Sequence, residues 1–141
     1  MTHDPLAPVL EGSASAGVLS WPAQLPVESA LEAARKAGWE TAVLDLGGVT
    51  DKAGLMTACA TALRLPDWFG ANWDALADCL GDLEWWPAQQ GRLILVQGWQ
   101  EYAALSPADW RLLQEIFADA AAHWRGTGTP LAVVMVLAES R

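Results

Sequence analysis

The sequence predicts an α/β fold: a small three-stranded parallel sheet with helical crossovers, preceded by an N-terminal extension that holds a short helix. Three observations carry this. Short apolar runs at 41–46, 93–97 and 131–137 each abut a glycine or proline, as buried strands do. Longer stretches between them repeat their apolar residues at spacings of three and four, the period of a helix with one buried face. Of 141 residues, 52% are apolar and 18% charged, enough for one domain with a real core and incompatible with disorder along the whole length. Alternating strands and helices favour a parallel sheet.

Taken in order, residues 1–26 mix Pro5, Pro8, Pro22 and Pro26 with small residues and show no period. They read as an irregular arm with a short strand near 18–21. Residues 27–37 form a short helix with Leu31 and Ala34 on one side, and Gly38 stops it. The strand at 41–46 closes on Gly47 and Gly48. Thr50 or Asp51 then caps a helix that aligns Leu55, Cys59, Ala62 and Leu63, and Pro66 ends it. A further helix runs from about Asn72 to Gly81. LILVQ at 93–97 is a strand ended by Gly98. Ser106 followed by Pro107 pairs a capping hydroxyl with proline at the first helical position. The helix it starts presents Trp110, Leu113, Phe117, Ala120 and Trp124. After a break at 126–130, LAVVMVL at 131–137 reads as a strand buried on both faces. There is no internal repeat, and the chain divides into an extension, 1–39, and a domain, 40–141.

Charge narrows the partners. Seventeen Asp and Glu stand against eight Lys and Arg, a formal net of −9. Direct nucleic-acid binding is disfavoured, because phosphate neutralisation needs a basic face; a cationic partner is favoured. No run approaches the ~20 apolar residues that span a bilayer. The first residues lack a basic segment and carry Asp4 and Glu11, so a secretory signal is not expected. Cys59 and Cys79 sit in helical patterns as small buried hydrophobes, and a reducing cytoplasm is the expected compartment. His3 and His123 lie far apart without neighbouring ligands, which argues against a structural zinc site.

The informative segment is 65–87, LPDWFGANWDALADCLGDLEWWP, with five carboxylates and no Lys or Arg. At ~100° per residue, Trp73, Leu76, Leu80 and Leu83 share the core-facing sector. Asp74, Asp78 and Asp82 stack one turn apart on the other side. Like charges at i and i+4 repel by a few tenths of a kcal/mol, and only Asp74 sits near enough to the helix N-terminus to recover some of that. A helix selected for stability alone would carry a lysine here, and such local violations are where function is expected. Three readings fit the row: a solvated acidic face, a carboxylate site for a metal or for acid–base work, and a binding surface for a basic partner. Hard cations need more oxygen ligands, and glycosidic chemistry needs carboxylates facing across a cleft. The third reading gains from composition, since nine of the twelve aromatic residues are Trp and Trp68, Trp73, Trp85 and Trp86 bracket the acids. Trp110 and Trp124 belong to the core, Trp73 lies at the edge of its apolar stripe, and Trp68 is the best candidate for an exposed ring.

These residues resemble the barstar family, the intracellular inhibitors of barnase-type ribonucleases. The hallmark is Leu-Pro, an acid, two aromatics, Gly, a variable position, Asn, then Asp-Ala-Leu, a variable position and Asp-Cys-Leu. Here Leu65 to Leu80 match that order over sixteen residues: Leu65, Pro66, Asp67, Trp68, Phe69, Gly70, then Asn72, Asp74, Ala75, Leu76, Asp78, Cys79 and Leu80. The resemblance implies the barstar fold from about residue 40 to 140 and leaves 1–39 without a counterpart. It implies no enzyme activity and no cofactor or metal. It implies an acidic helix inserted, one to one, into the cationic active site of a basic ribonuclease or toxin domain. Asp74 and Asp78 become the central carboxylates, mimicking phosphates against Arg and Lys. Trp68 stands for a tyrosine that packs on the ribonuclease, Asn72 for a contacting asparagine, and Asp119, two residues after Phe117, for a further acid. Trp73 joins them at the edge of the stripe. Ala77 stands where the family often has Trp, Leu83 replaces another aromatic near the binding rim, Phe69 lacks a hydroxyl and Ala71 an acid. The charge core is kept and its apolar surroundings are altered. The alternative function is a barstar-fold module that binds a basic partner other than a nuclease.

Overall fold

Strands that are apolar on both faces need cover on both, and the N-terminal residues supply the second layer. The computed structural model describes residues 4–137. Residues 1–3 of the expected arm, His3 among them, and 138–141 of the expected domain lie outside the described residues. The elements are α1 (Ala7–Leu10), β1 (Val18–Trp21), α2 (Val27–Lys36), β2 (Glu40–Asp45), α3 (Lys52–Ala62), α4 (Trp73–Asp82), β3 (Arg92–Gln97), α5 (Gln100–Leu105), α6 (Pro107–Trp124) and β4 (Leu131–Val136).

The sheet is parallel, as expected, but it has four strands rather than three, in the order β1-β4-β3-β2. The short strand at 18–21 is not part of a loose arm. It pairs with β4, setting Leu19 beside Val134 and Trp21 beside Val136. The reason lies in β4 itself, which is inner and apolar throughout and would otherwise be an open edge.

One handedness rule explains both layers. From β2 through β3 to β4 the chain steps across the sheet in one direction, and helices α3 to α6 lie on one face. From β1 to β2 it crosses the whole sheet in the opposite direction. A right-handed connection then has to pass over the opposite face, which is where α2 packs. Side chains alternate accordingly. Ile94, Val96, Val133 and Met135 join Leu55, Leu76, Leu113 and Phe117 in the larger core. Leu93, Leu95, Ala132 and Val134 join Leu6, Val9, Trp21, Ala30, Leu31 and Ala34 in the smaller one. Gly91 touches this second core so closely that a Cβ there would lie 2.6 Å from the Trp39 ring. The expected boundary at residue 39 is thus one the sheet itself crosses.

Several local signals are used as expected. Asp51 caps α3, accepting from the Gly54 amide at 2.8 Å. Pro107 opens α6, whose buried face includes Trp110, Leu113, Phe117 and Ala120. Trp124 is half-buried against the same core. Cys59 and Cys79 are free and buried. The hydroxyl of Ser106 makes no capping bond, so only the proline half of that start signal operates. Helix α5 has no counterpart in the sequence reading; it buries Tyr102, whose hydroxyl donates to Asp109 Oδ2 at 3.3 Å.

Candidate protein-binding surface

The loop before α4 is set by backbone turns. Arg64 and Ala71 both adopt left-handed φ, 52° and 53°. The Phe69 amide donates to the Pro66 carbonyl at 2.9 Å. That turn directs neighbouring rings to opposite sides: Phe69 packs partly against the larger core while Trp68 is 60% exposed. Asn72 closes the loop. Its Oδ1 accepts from the Ala75 amide at 2.8 Å and its Nδ2 donates to the Gly70 carbonyl at 3.3 Å. The asparagine expected as a contact therefore has its side chain engaged in capping the helix and bracing the loop.

Helix α4 buries Leu76, Cys79 and Leu80, leaving Asp74, Ala77, Asp78 and Asp82 exposed on its outer side. Trp73 is half-buried at the margin, with the Lys52 ammonium 5.8 Å from its ring centre. The C-terminal end is tied by side chains from outside the helix. Trp124 Nε1 donates to the Leu80 carbonyl at 2.7 Å. Arg92 Nε donates to the Trp86 carbonyl at 2.8 Å and Nη2 to Leu83 at 3.5 Å. A cation at this end also complements the helix dipole. The row of acids is thus carried on a helix fixed at both termini, which limits the entropy lost when a partner immobilises it.

Arg92 is a residue that sequence reasoning missed. It is only 5% exposed, lies 4.6 Å from the Trp124 ring centre, and its Nη1 has no hydrogen-bond partner. Burial pushes its pKa down, with the Glu40 carboxylate opposing. Its only sequence signal was a lone cation opening an apolar run. Leu83 is fully buried, as its core-facing place on the helical wheel predicts and contrary to the rim position that the resemblance implied; it has left-handed φ of 53° at the end of α4 and its carbonyl is turned to Arg92. A leucine fits there because the site is core rather than surface.

Asp119 is exposed on α6, and the packing of α6 against α4 brings it to Ala77. Both line a groove of about 180 Å³ with Gly81, Ile116, Ala120 and His123. The methyl group of Ala77 and the absence of a side chain at Gly81 leave it open. Asp74, Asp78 and Asp119 therefore belong to one acidic surface drawn from two helices. Arg92 and Arg125 direct their guanidinium donors to backbone carbonyls, Arg125 to that of Ala16 at 3.1 Å, not to these carboxylates. The described N-terminal residues pack across the sheet from α4, away from this surface. Inside the helix, burial raises the pKa of the Cys79 thiol, and the charges of Asp78 and Asp82 raise it further.

Among the described residues no group of three or more His, Cys, Asp or Glu is arranged to hold a metal ion. Nor does any described helix have the length and apolarity to cross a membrane. The surface offers exposed negative charge flanked by indole rings, a combination suited to cationic protein surfaces.

A family model described as Barstar (barnase inhibitor) matches residues 39–136. No curated protein matches the chain. The match takes in strands β2 to β4, the capped acidic helix and Asp119, well over half of the molecule, and this protein belongs to the barstar family.

Proposed function

We propose that this protein is a cytoplasmic, non-enzymatic inhibitor of a barnase-type or similar basic ribonuclease or toxin domain. It binds one to one and without a cofactor, covering the cationic active site with the outer side of α4. The observation that carries this reading is the exposed pair Asp74 and Asp78 on a helix tied at both ends, inside a barstar-family match. Carboxylates one turn apart stand in for successive phosphates, and guanidinium groups recognise them by charge-assisted, often bidentate bonds. Asp119 extends the surface from α6, and Trp68 supplies an exposed ring beside it. Asn72 acts as a positioning residue through the cap and Gly70. The acidic field speeds encounter and makes association salt-sensitive.

The open groove at Ala77 and Gly81 favours a target shaped differently from barnase itself, since the family often fills that place with Trp. The test is suppression of RNA cleavage by a purified barnase-type ribonuclease. Wild type should inhibit. Asp78→Ala should be at least about a hundredfold weaker, as expected when a desolvated charge loses its partner. Equal potency of the two proteins would defeat the assignment. Recovery of a basic non-nuclease protein, lost on charge reversal of Asp74 and Asp78, would establish the interaction-module reading instead.

A further inference from the structure

We infer that an open cleft beside the acidic helix, walled by Trp68 and Trp85 and edged by Asp82 and Glu84, receives a single arginine side chain of the basic partner. The inference rests on the proposed reading in taking the partner to be basic, and it adds three residues to the recognition surface. The cleft has a volume of about 400 Å³ and is completed by Pro66. Its two indoles meet edge to face, with centres 5.9 Å apart and planes at 83°. Trp85 is held in place, its Nε1 donating to the Leu63 carbonyl at 3.1 Å, whereas Trp68 is the most exposed of the chain's large apolar side chains that are described.

Neighbouring tryptophans show what this pair lacks. Lys52 lies over Trp73, and Arg92 lies 6.0 Å from Trp86 and 4.6 Å from Trp124. Among the described residues, no lysine or arginine lines the cleft beside Trp68 and Trp85. An edge-to-face indole pair, whose open ring surface attracts cations, thus stands beside two exposed carboxylates with no cation among the described residues that line the cleft. An arginine meets both demands at once. Its planar guanidinium stacks on an indole while its N–H fork engages a carboxylate, whereas a lysine ammonium does the second without the first. Asp82 lies one turn beyond Asp78 on α4, so a partner held on the Asp74–Asp78 row has this cleft at the next turn of its footprint.

The test needs no knowledge of the natural partner. N-acetyl-arginine amide and its neutral isostere N-acetyl-citrulline amide are titrated into the full chain while the indole N–H signals of Trp68 and Trp85 are followed by NMR. Saturable shifts at both signals are expected, with arginine binding about fivefold more tightly than citrulline. The Asp82→Asn, Glu84→Gln double variant should remove that preference, and Trp68→Leu should abolish saturation at Trp85. Both change exposed side chains, and a retained circular dichroism spectrum shows that they fold. Equal affinity for the two amides, or shifts that leave Trp68 and Trp85 unmoved, would overturn the inference. Asp78→Ala should keep the indole shifts while losing ribonuclease suppression. Failure of suppression with an intact arginine preference therefore refutes the inhibitor reading alone, and the converse refutes the cleft alone.

Discussion

Deleting residues 1–38 leaves the whole family-matched segment and the acidic helix in place, and it should nonetheless unfold or aggregate the protein. The deletion removes α1, β1 and α2 from one face of the sheet. Leu93, Leu95, Ala132 and Val134, none of them measurably exposed in the intact protein, would then face water. At about 2 kcal/mol for each leucine, slightly less for valine and least for alanine, the exposed face costs roughly 6 kcal/mol. Strand β4 also loses its ladder with Val18–Trp21 and becomes an open, apolar edge. Domains of this size are stable by only about 5–15 kcal/mol, so the loss takes between two-fifths and all of it. Urea unfolding followed by tryptophan fluorescence, with size-exclusion chromatography, measures it. With a slope of roughly 2 kcal/mol per M, the midpoint should fall by about 3 M or the transition should vanish into aggregates. A milder change, Trp21→Ala, should cost about 3–5 kcal/mol, since that ring is fully buried. A monomeric truncated protein with a midpoint within about 0.5 M of the full chain would refute the reasoning.

Two further predictions concern the site's support and the core. Asn72→Ala removes the cap bond to Ala75 and should cost about 1 kcal/mol, lowering Tm by about 2–4 °C, whereas Asn72→Asp, which keeps an acceptor at the cap, should lose less. Calorimetry that finds the two variants equal would show that the cap contributes nothing. Stability should also fall at alkaline pH. Burial raises Cys59 from 9.0 to about 12, and burial followed by the charge and hydrogen bond of Asp109 raises Tyr102 from 10.0 to about 12. Both groups are protonated in either state below pH 9; above it the unfolded chain ionises first, so stability drains away as pH rises towards 12. The slope is about 1.4 kcal/mol per pH unit for each group in its window. Between pH 9 and 10 the raised thiols of Cys59 and Cys79 act ahead of Tyr102, so Cys59→Ala should make the fall of the urea midpoint there shallower without abolishing it, and an unchanged slope would contradict the assignment.

The legible parts of the molecule are those decided by neighbours in sequence. Glycine and proline punctuation marked β2, β3 and β4, and Asp51, Asn72 and Pro107 announced helix starts through groups within a turn of themselves. The acidic row could be placed because a helix converts i, i+4 spacing directly into one face. Helix α5 escaped notice because six residues are too few for a period, and Ser106 misled because its hydroxyl is not used. Strand β1 read as a minor feature of an arm, since four residues with no alternation give no hint of a partner more than a hundred residues away.

By itself the sequence determined the family, the parallel α/β plan and the uncompensated charge on α4, because each is written in local order and spacing. Only tertiary structure decided that the first described residues are a layer of the fold, that Asp119 and Ala77 line one groove between two helices, and that Trp68 and Trp85 form a cleft. Those outcomes depend on which faces are left apolar once the sheet has closed, and burial of that kind is a property of the assembled layers rather than of any one segment.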